Sequence, residues 1–143
     1  MKQKAETRVA FAEFGLDVKF SRGHRYLGCF IGSASDMHEW MSAAVEVWTE
    51  AVKTLAKIAV RYPQAAYAGV VMCLQNEWQF VQRTCPGTGF VFEPVEQALR
   101  NDFIPALFGV ESISGEDWEL ISHSVKRGGF AIRNPRRHGH PNV

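Results

Sequence analysis

Several common kinds of self-contained chemistry are missing from this sequence. It contains no G-x-x-x-x-G-K-[ST] phosphate loop, no G-x-G-x-x-G turn, no G-x-S-x-G nucleophile elbow and no H-E-x-x-H metal pair. No two aspartates are adjacent, so no Asp-Asp clamp for two metal ions is present. Cysteine is scarce: Cys29, Cys73 and Cys85 are odd in number and nowhere form C-x-x-C. That argues against a disulfide framework or a thiolate zinc site and for reduced, half-buried thiols. No apolar run approaches the roughly 18 residues that span a bilayer. Met1-Lys2-Gln3-Lys4-Ala5-Glu6 carries positive charge with no apolar stretch behind it, unlike a secretory signal. The expectation is an intracellular protein, cytoplasmic or nuclear, with no membrane partner.

Two weak chemical signals remain. His138-Gly139-His140 offers two imidazoles without a third ligand in reach. Arg83-Thr84-Cys85-Pro86 sets a thiol beside a cation, but no His or Asp completes a nucleophile, and the segment reads as a helix end.

What is present is a folded composition, 46% hydrophobic and 22% charged, with an uneven charge map. Counted along the chain, residues 1–32 carry a net +3, residues 33–121 a net −7 and residues 122–143 a net +5. A polyanion would therefore be met at the two ends.

Periodicity divides the chain the same way. Residues 2–14 have a weak helical period with Gly15 as a stop. Leu16, Val18 and Phe20 then alternate with polar residues like a strand. Ser21-Arg22-Gly23-His24 reads as a turn and Tyr26–Ile31 as the returning strand, which together predict a β-hairpin. Ser33 or Ser35 with Asp36 offers N-cap chemistry for a long helix to about Val60. Its expected inner seam is Met37, Met41, Ala44, Trp48, Ala51, Leu55 and Ile58.

Pro63 suits the first turn of a second helix, with Tyr67, Val70, Val71, Leu74, Trp78 and Val81 on one stripe, ending near Cys85-Pro86-Gly87. A third helix, Phe90 to Phe108, turns Phe92, Val95, Leu99, Phe103 and Leu107 inward, and Pro105 should kink or end it. Ser114-x-x-Asp117 caps a last short helix through Ile121. Residues 126–143, rich in Gly, Pro and Arg, look like an extended basic tail. The predicted fold class is mainly α (α+β): a short N-terminal helix and β-hairpin, then a small antiparallel bundle of three to four helices. Trp40, Trp48, Trp78 and Trp118 are expected in packing roles.

One stretch, Gly23-His24-Arg25-Tyr26-Leu27-Gly28-Cys29-Phe30-Ile31-Gly32, resembles the G-x-R-x-L-G-x-x-I-G segment just after the catalytic palm of retroelement reverse transcriptases. Further blocks follow in that family's order. They are Trp48 with Leu55-Ala56-x-Ile58-Ala59; Pro63-Gln64-Ala65-Ala66-Tyr67-Ala68; and Glu77-Trp78-Gln79-Phe80-Val81-Gln82-Arg83-Thr84-x-Pro86. Then come Phe92-x-Pro94-Val95-Glu96-x-Ala98-Leu99, Phe103-Ile104-Pro105-Ala106-Leu107-Phe108-Gly109 and Arg127-Gly128-Gly129-Phe130-Ala131-Ile132-Arg133-Asn134-Pro135.

The resemblance implies that 1–32 is the tail of the palm with a primer-grip-like hairpin. It implies a thumb-like helical domain over 33–122 and a basic tail over 123–143. The family's Tyr-x-Asp-Asp motif and earlier aspartate, which hold two magnesium ions, have no counterpart here, so no cofactor is expected in this chain. The implied partners are a template–primer duplex, RNA–DNA or DNA, and the rest of the palm. The expected nucleic-acid contacts are Lys19, Arg22, His24, Arg25 and Tyr26 around the predicted turn, then Lys126 and Arg127. A rival reading is a non-enzymatic helical protein–protein interaction module with a basic tail. Without a carboxylate pair, the purified chain should extend no primer when given template, magnesium and nucleotides. Extension above a blank would overturn that expectation.

Overall fold

The computed structural model describes residues 2–137. Among them are five helices and one two-stranded hairpin, the mainly α arrangement expected. Helix α1 spans Lys2–Ala12, strand β1 Gly23–Tyr26, strand β2 Cys29–Gly32 and helix α2 Ala34–Ala59. Helix α3 covers 63–84 as an α-helical start Pro63–Ala68, a π-helical stretch Gly69–Leu74 and an α-helical end Gln75–Thr84. Helix α4 covers 93–108 with a second π-helical stretch, Leu99–Phe103, between Glu93–Ala98 and Ile104–Phe108. Helix α5 is Gly115–Ser122. No helix among the described residues is long and apolar enough to cross a membrane.

The hairpin exists, but not in the predicted register. Residues 16–20 form no strand, and Gly23 and His24 of the predicted turn lie in β1. The antiparallel pairs are Gly23–Gly32, His24–Ile31, Arg25–Phe30 and Tyr26–Cys29. This puts the reversal at Leu27-Gly28. A type I′ two-residue loop, one of the two that match strand twist, needs positive φ at both central positions, and Leu27 has φ 49° and Gly28 φ 85°. Gly23 answers a different need. A Cβ there would lie 2.2 Å from the Phe30 ring, and one on Gly32 would lie 2.4 Å from the Gly23 Cα. The open end of the ribbon closes only because both positions are bare.

Ser33 caps α2, its hydroxyl accepting the Asp36 N–H at 3.2 Å. Ser114 caps α5 in the same way, from Asp117 N–H at 3.1 Å. Each such cap contributes about 1 kcal/mol. The buried face of α2 is Met41, Val45, Trp48, Val52, Ala56 and Ala59, which is rotated from the predicted seam; Ile58 is exposed. The expected seam repeats every 3.5 residues and drifts around a straight helix of 3.6 residues per turn. The observed face keeps the 3.6 period. It also ends in two alanines, where neighbouring helices approach closely.

Helices α3 and α4 pack on α2. Val70, Trp78 and Val81 of α3 and Phe92, Val95, Leu99 and Phe103 near and in α4 are buried as expected. Pro105 does not break α4. The π-helical stretch before it routes the Ile104 N–H to the Leu99 carbonyl. The proline, which has no N–H to give, sits just where the hydrogen-bond register changes.

The presumed tail is part of the core. Ile132 and Pro135 are fully buried. A row of buried glutamines on α3, unforeseen in the sequence, receives the segment. Gln75 Nε2 donates to the Ala131 carbonyl at 3.0 Å and Gln75 Oε1 accepts the Arg133 N–H at 2.9 Å. Gln82 Nε2 donates to the Pro135 carbonyl. Tyr67 donates to the Phe130 carbonyl at 2.7 Å. An extended chain advances about 6.6 Å per two residues and a helix about 6 Å per four, so one glutamine per turn keeps pace with alternate backbone units.

Two variants test this docking. Gln75→Ala removes both partners of a partly buried backbone pair and should lower unfolding free energy by about 2 kcal/mol. Ile132→Ala should cost about 2–5 kcal/mol. Denaturant titration measures both, and an unchanged midpoint for Ile132→Ala would show that the segment is not core.

Candidate nucleic-acid interface

The hairpin ribbon has two faces, because side chains alternate along each strand. Arg25 and its cross-strand partner Phe30 share one face, and the Phe30 ring stacks on Trp40 of α2 at 5.7 Å. That face is turned toward the helical body. His24 and Tyr26 occupy the other, outer face, where Tyr26 is 58% exposed. Arg22 lies just before β1, and its carbonyl accepts the Ser33 N–H at 3.1 Å, closing the ribbon's open end. Lys19 is exposed in the irregular segment before it. The five N-terminal candidates thus surround the hairpin but do not converge on one turn as expected.

Arg25 lines a cleft of about 700 Å³ between the hairpin, α2 and α3, together with Gly28, Trp40, Ala43, Val47, Trp48, Glu77 and Phe80. Trp48 Nε1 donates to Glu77 Oε2 at 3.0 Å. The cleft combines aromatic surface, one cation and one carboxylate.

Lys126 and Arg127 sit elsewhere. They form an exposed 3-10 turn, Val125–Arg127, after α5. Val125 lines a second, apolar cleft of about 390 Å³ with Pro63, Gln64, Tyr67, Leu107, Phe108, Gly129 and Phe130. That cleft lies at the start of α3 and the hairpin cleft near its end. From Gln64 to Phe80 at about 1.5 Å per residue, the separation along the helix is roughly 24 Å.

Among the described residues, the ion pairs are Lys53–Glu50, Arg136–Glu96 and Arg137–Glu119. Part of the C-terminal positive charge is therefore neutralised within the fold. Lys19, Arg22, His24, Arg25, Lys126 and Arg127 form no ion pair there. Sequence reasoning missed Lys4 and Arg8, which lie over the ring of Phe20, in the segment leading into β1, at 5.8 and 5.7 Å. Their i, i+4 spacing was the available signal. Helix α1 buries none of its residues, and Val9, Phe11, Phe14 and Leu16 are exposed.

No group of three or more His, Cys, Asp or Glu is placed to hold a metal ion among the described residues. His138 and His140 lie outside them. The three cysteines are free thiols, with Cys85 buried, Cys29 half-buried and Cys73 exposed.

No family model, curated protein or solved structure matches the chain.

The reversal at Leu27-Gly28 carries its own test. In Gly28→Ala the new Cβ would meet the Phe80 ring at 3.0 Å in a left-handed conformation. That conformation alone costs about 1–2 kcal/mol. Amide exchange should quicken across residues 22–33 while α2 and α3 keep their protection. Unaltered exchange in the hairpin would contradict the turn.

Proposed function

We propose that the chain is a template–primer positioning module: the primer-grip-like hairpin and thumb-like helices of a retroelement reverse transcriptase, without catalytic groups of its own. The observation that carries this reading is the segregation of unpaired cations. Lys19, Arg22 and Arg25 at and just before the hairpin, with Lys4 and Arg8 over Phe20 in the segment leading into it, adjoin a helical body whose 33–121 stretch is net −7. Phosphates are repelled from most of that body and accepted at its hairpin end. A short, two-residue hairpin braced on Trp40 and Phe80 suits a positioning task, because a displacement of about 1 Å at a reacting end costs roughly a hundredfold in rate. The expected ligand is an RNA–DNA or DNA duplex, recognised by shape and phosphate with little base preference in its paired part.

A second reading draws on α1. A helix of this length that buries nothing is marginal alone, and the exposed Phe11 within it and Phe14 just after it favour a protein neighbour. In the first reading that neighbour is the rest of the polymerase palm. In the second, the chain is an interaction module and its cations are incidental.

Salt dependence separates the two. Each phosphate neutralised contributes about 0.7–0.9 to the slope of log affinity against log salt. Arg22→Ala with Arg25→Ala should weaken binding to an RNA–DNA hybrid and lower that slope by roughly one to two units, read by fluorescence anisotropy at several salt concentrations. If the double variant matches the parent in affinity and slope, the positioning reading falls and the interaction module replaces it.

A further inference from the structure

The cleft behind the hairpin is more specific than a phosphate track requires. It is concave and about 700 Å³ in volume, within the range that encloses small planar ligands. Trp40, Trp48 and Phe80 line it with ring surface, beside Ala43 and Val47 on α2. Phe80 is 44% exposed and Ala43 is exposed, so both remain reachable from solvent.

Its two charged groups do not pair with each other. Arg25 and Glu77 line the same cleft, and neither is in any ion pair among the described residues. Glu77 uses one oxygen to accept the Trp48 indole N–H at 3.0 Å. That bond fixes the carboxylate at the cleft wall and leaves most of its acceptor capacity, about four lone-pair sites in all. A ligand matching this wall carries an aromatic plane, an anionic group and an edge with neighbouring N–H donors. Among the nucleobases, guanine presents two adjacent donors, N1–H and the N2 amino group. Adenine and cytosine place an acceptor beside their amino group, which a carboxylate repels.

We propose that this cleft holds the guanine of an unpaired nucleotide, with the base against Trp40 and Phe80, its donor edge on Glu77 and its phosphate on Arg25. The proposal deepens the nucleic-acid reading above and rests on it for the class of ligand. Paired stretches of duplex would still be held through phosphates. An unpaired guanine beside them would gain a second, base-specific foothold.

The test needs no duplex. Guanosine 5′-monophosphate and adenosine 5′-monophosphate are titrated separately into the full chain, and the indole N–H resonances of Trp40 and Trp48 are followed by NMR. The guanine nucleotide should bind saturably and about tenfold more tightly, the scale of one good bidentate edge contact. Glu77→Gln keeps an oxygen for the Trp48 indole but turns an amide donor toward the ligand, so the ratio should fall to about one. Ala43→Phe, at an exposed helix position, should fill the cleft and abolish binding of both nucleotides while the hybrid's salt slope persists. Equal affinities in the parent chain, no binding of either nucleotide, or a guanine preference that survives Glu77→Gln would each overturn the proposal. Its failure stays distinct from that of the positioning reading, which is judged on paired hybrid and on Arg22 and Arg25 together.

Discussion

The Trp48 indole holds together what the rest of the molecule depends on. Its ring stacks on Phe92 at 5.9 Å and meets Trp78 edge-on at 6.4 Å, so one side chain of α2 touches both the helix after it and the approach to α4. Its N–H would be an expensive orphan in that apolar setting. Glu77 at the cleft wall satisfies it. The core and the candidate ligand site are thereby coupled through a single hydrogen bond. An acceptor oxygen at position 77 serves the core, and it is carried on a helix rather than on a surface loop. Aromatic contacts repeat outward from there. Phe30 lies on Trp40 and Phe80 underlies the hairpin turn, so the hairpin is seated on the same two helices that form the core.

A second constraint comes from the irregular C-terminal segment. Backbone without helix or strand partners must find hydrogen bonds elsewhere if it is to be buried. Here side-chain amides of Gln75 and Gln82 and the Tyr67 hydroxyl serve, while Asn134 Nδ2 reaches Glu96 Oε1 at 2.9 Å. Glu96 also receives the Trp118 indole N–H at 3.3 Å. One carboxylate on α4 thus ties α5 and the C-terminal segment to the bundle. Among the described residues Gln79 Nε2 has no partner, so the glutamine row is not satisfied at every step.

Helix positions were legible because apolar spacing, Ser33, Pro63 and Ser114 are local signals, and local sequence decides helix starts. The face of α2 was misjudged because a heptad-like spacing and a straight helix diverge over six turns. Hairpin register depended on which glycine turns the chain. Gly23 and Gly28 look alike in sequence, and only the cross-strand contact at Gly23 and the left-handed backbone at Gly28 separate them. Docking of 128–137 was hidden for a different reason. Glutamines on a helix read as surface, and Gly-Gly followed by arginines reads as a free end. Only tertiary structure brings residues more than fifty apart into register. Of the candidate contacts, Arg25 was named without its cleft, and Glu77, Trp40 and Phe80 were not named as a site because their convergence is not local either.

Helix α3 runs from the Lys126–Arg127 end of the molecule to the hairpin end, and its length has a consequence for any duplex laid along it. Helical rise sets the cleft at Gln64 and the hairpin cleft at Phe80 roughly 24 Å apart along it. A duplex strand advances about 3.4 Å per nucleotide, so the gap corresponds to about seven steps. For the proposed duplex ligand, that spacing would set a minimum footprint. Under the positioning reading proposed above, a shorter duplex would reach one end only, and a longer one would bridge both and gain the tighter holding that comes from two tethered contacts. Because the spacer is a hydrogen-bonded rod, that threshold is a property of chain geometry and does not change with the bases being held.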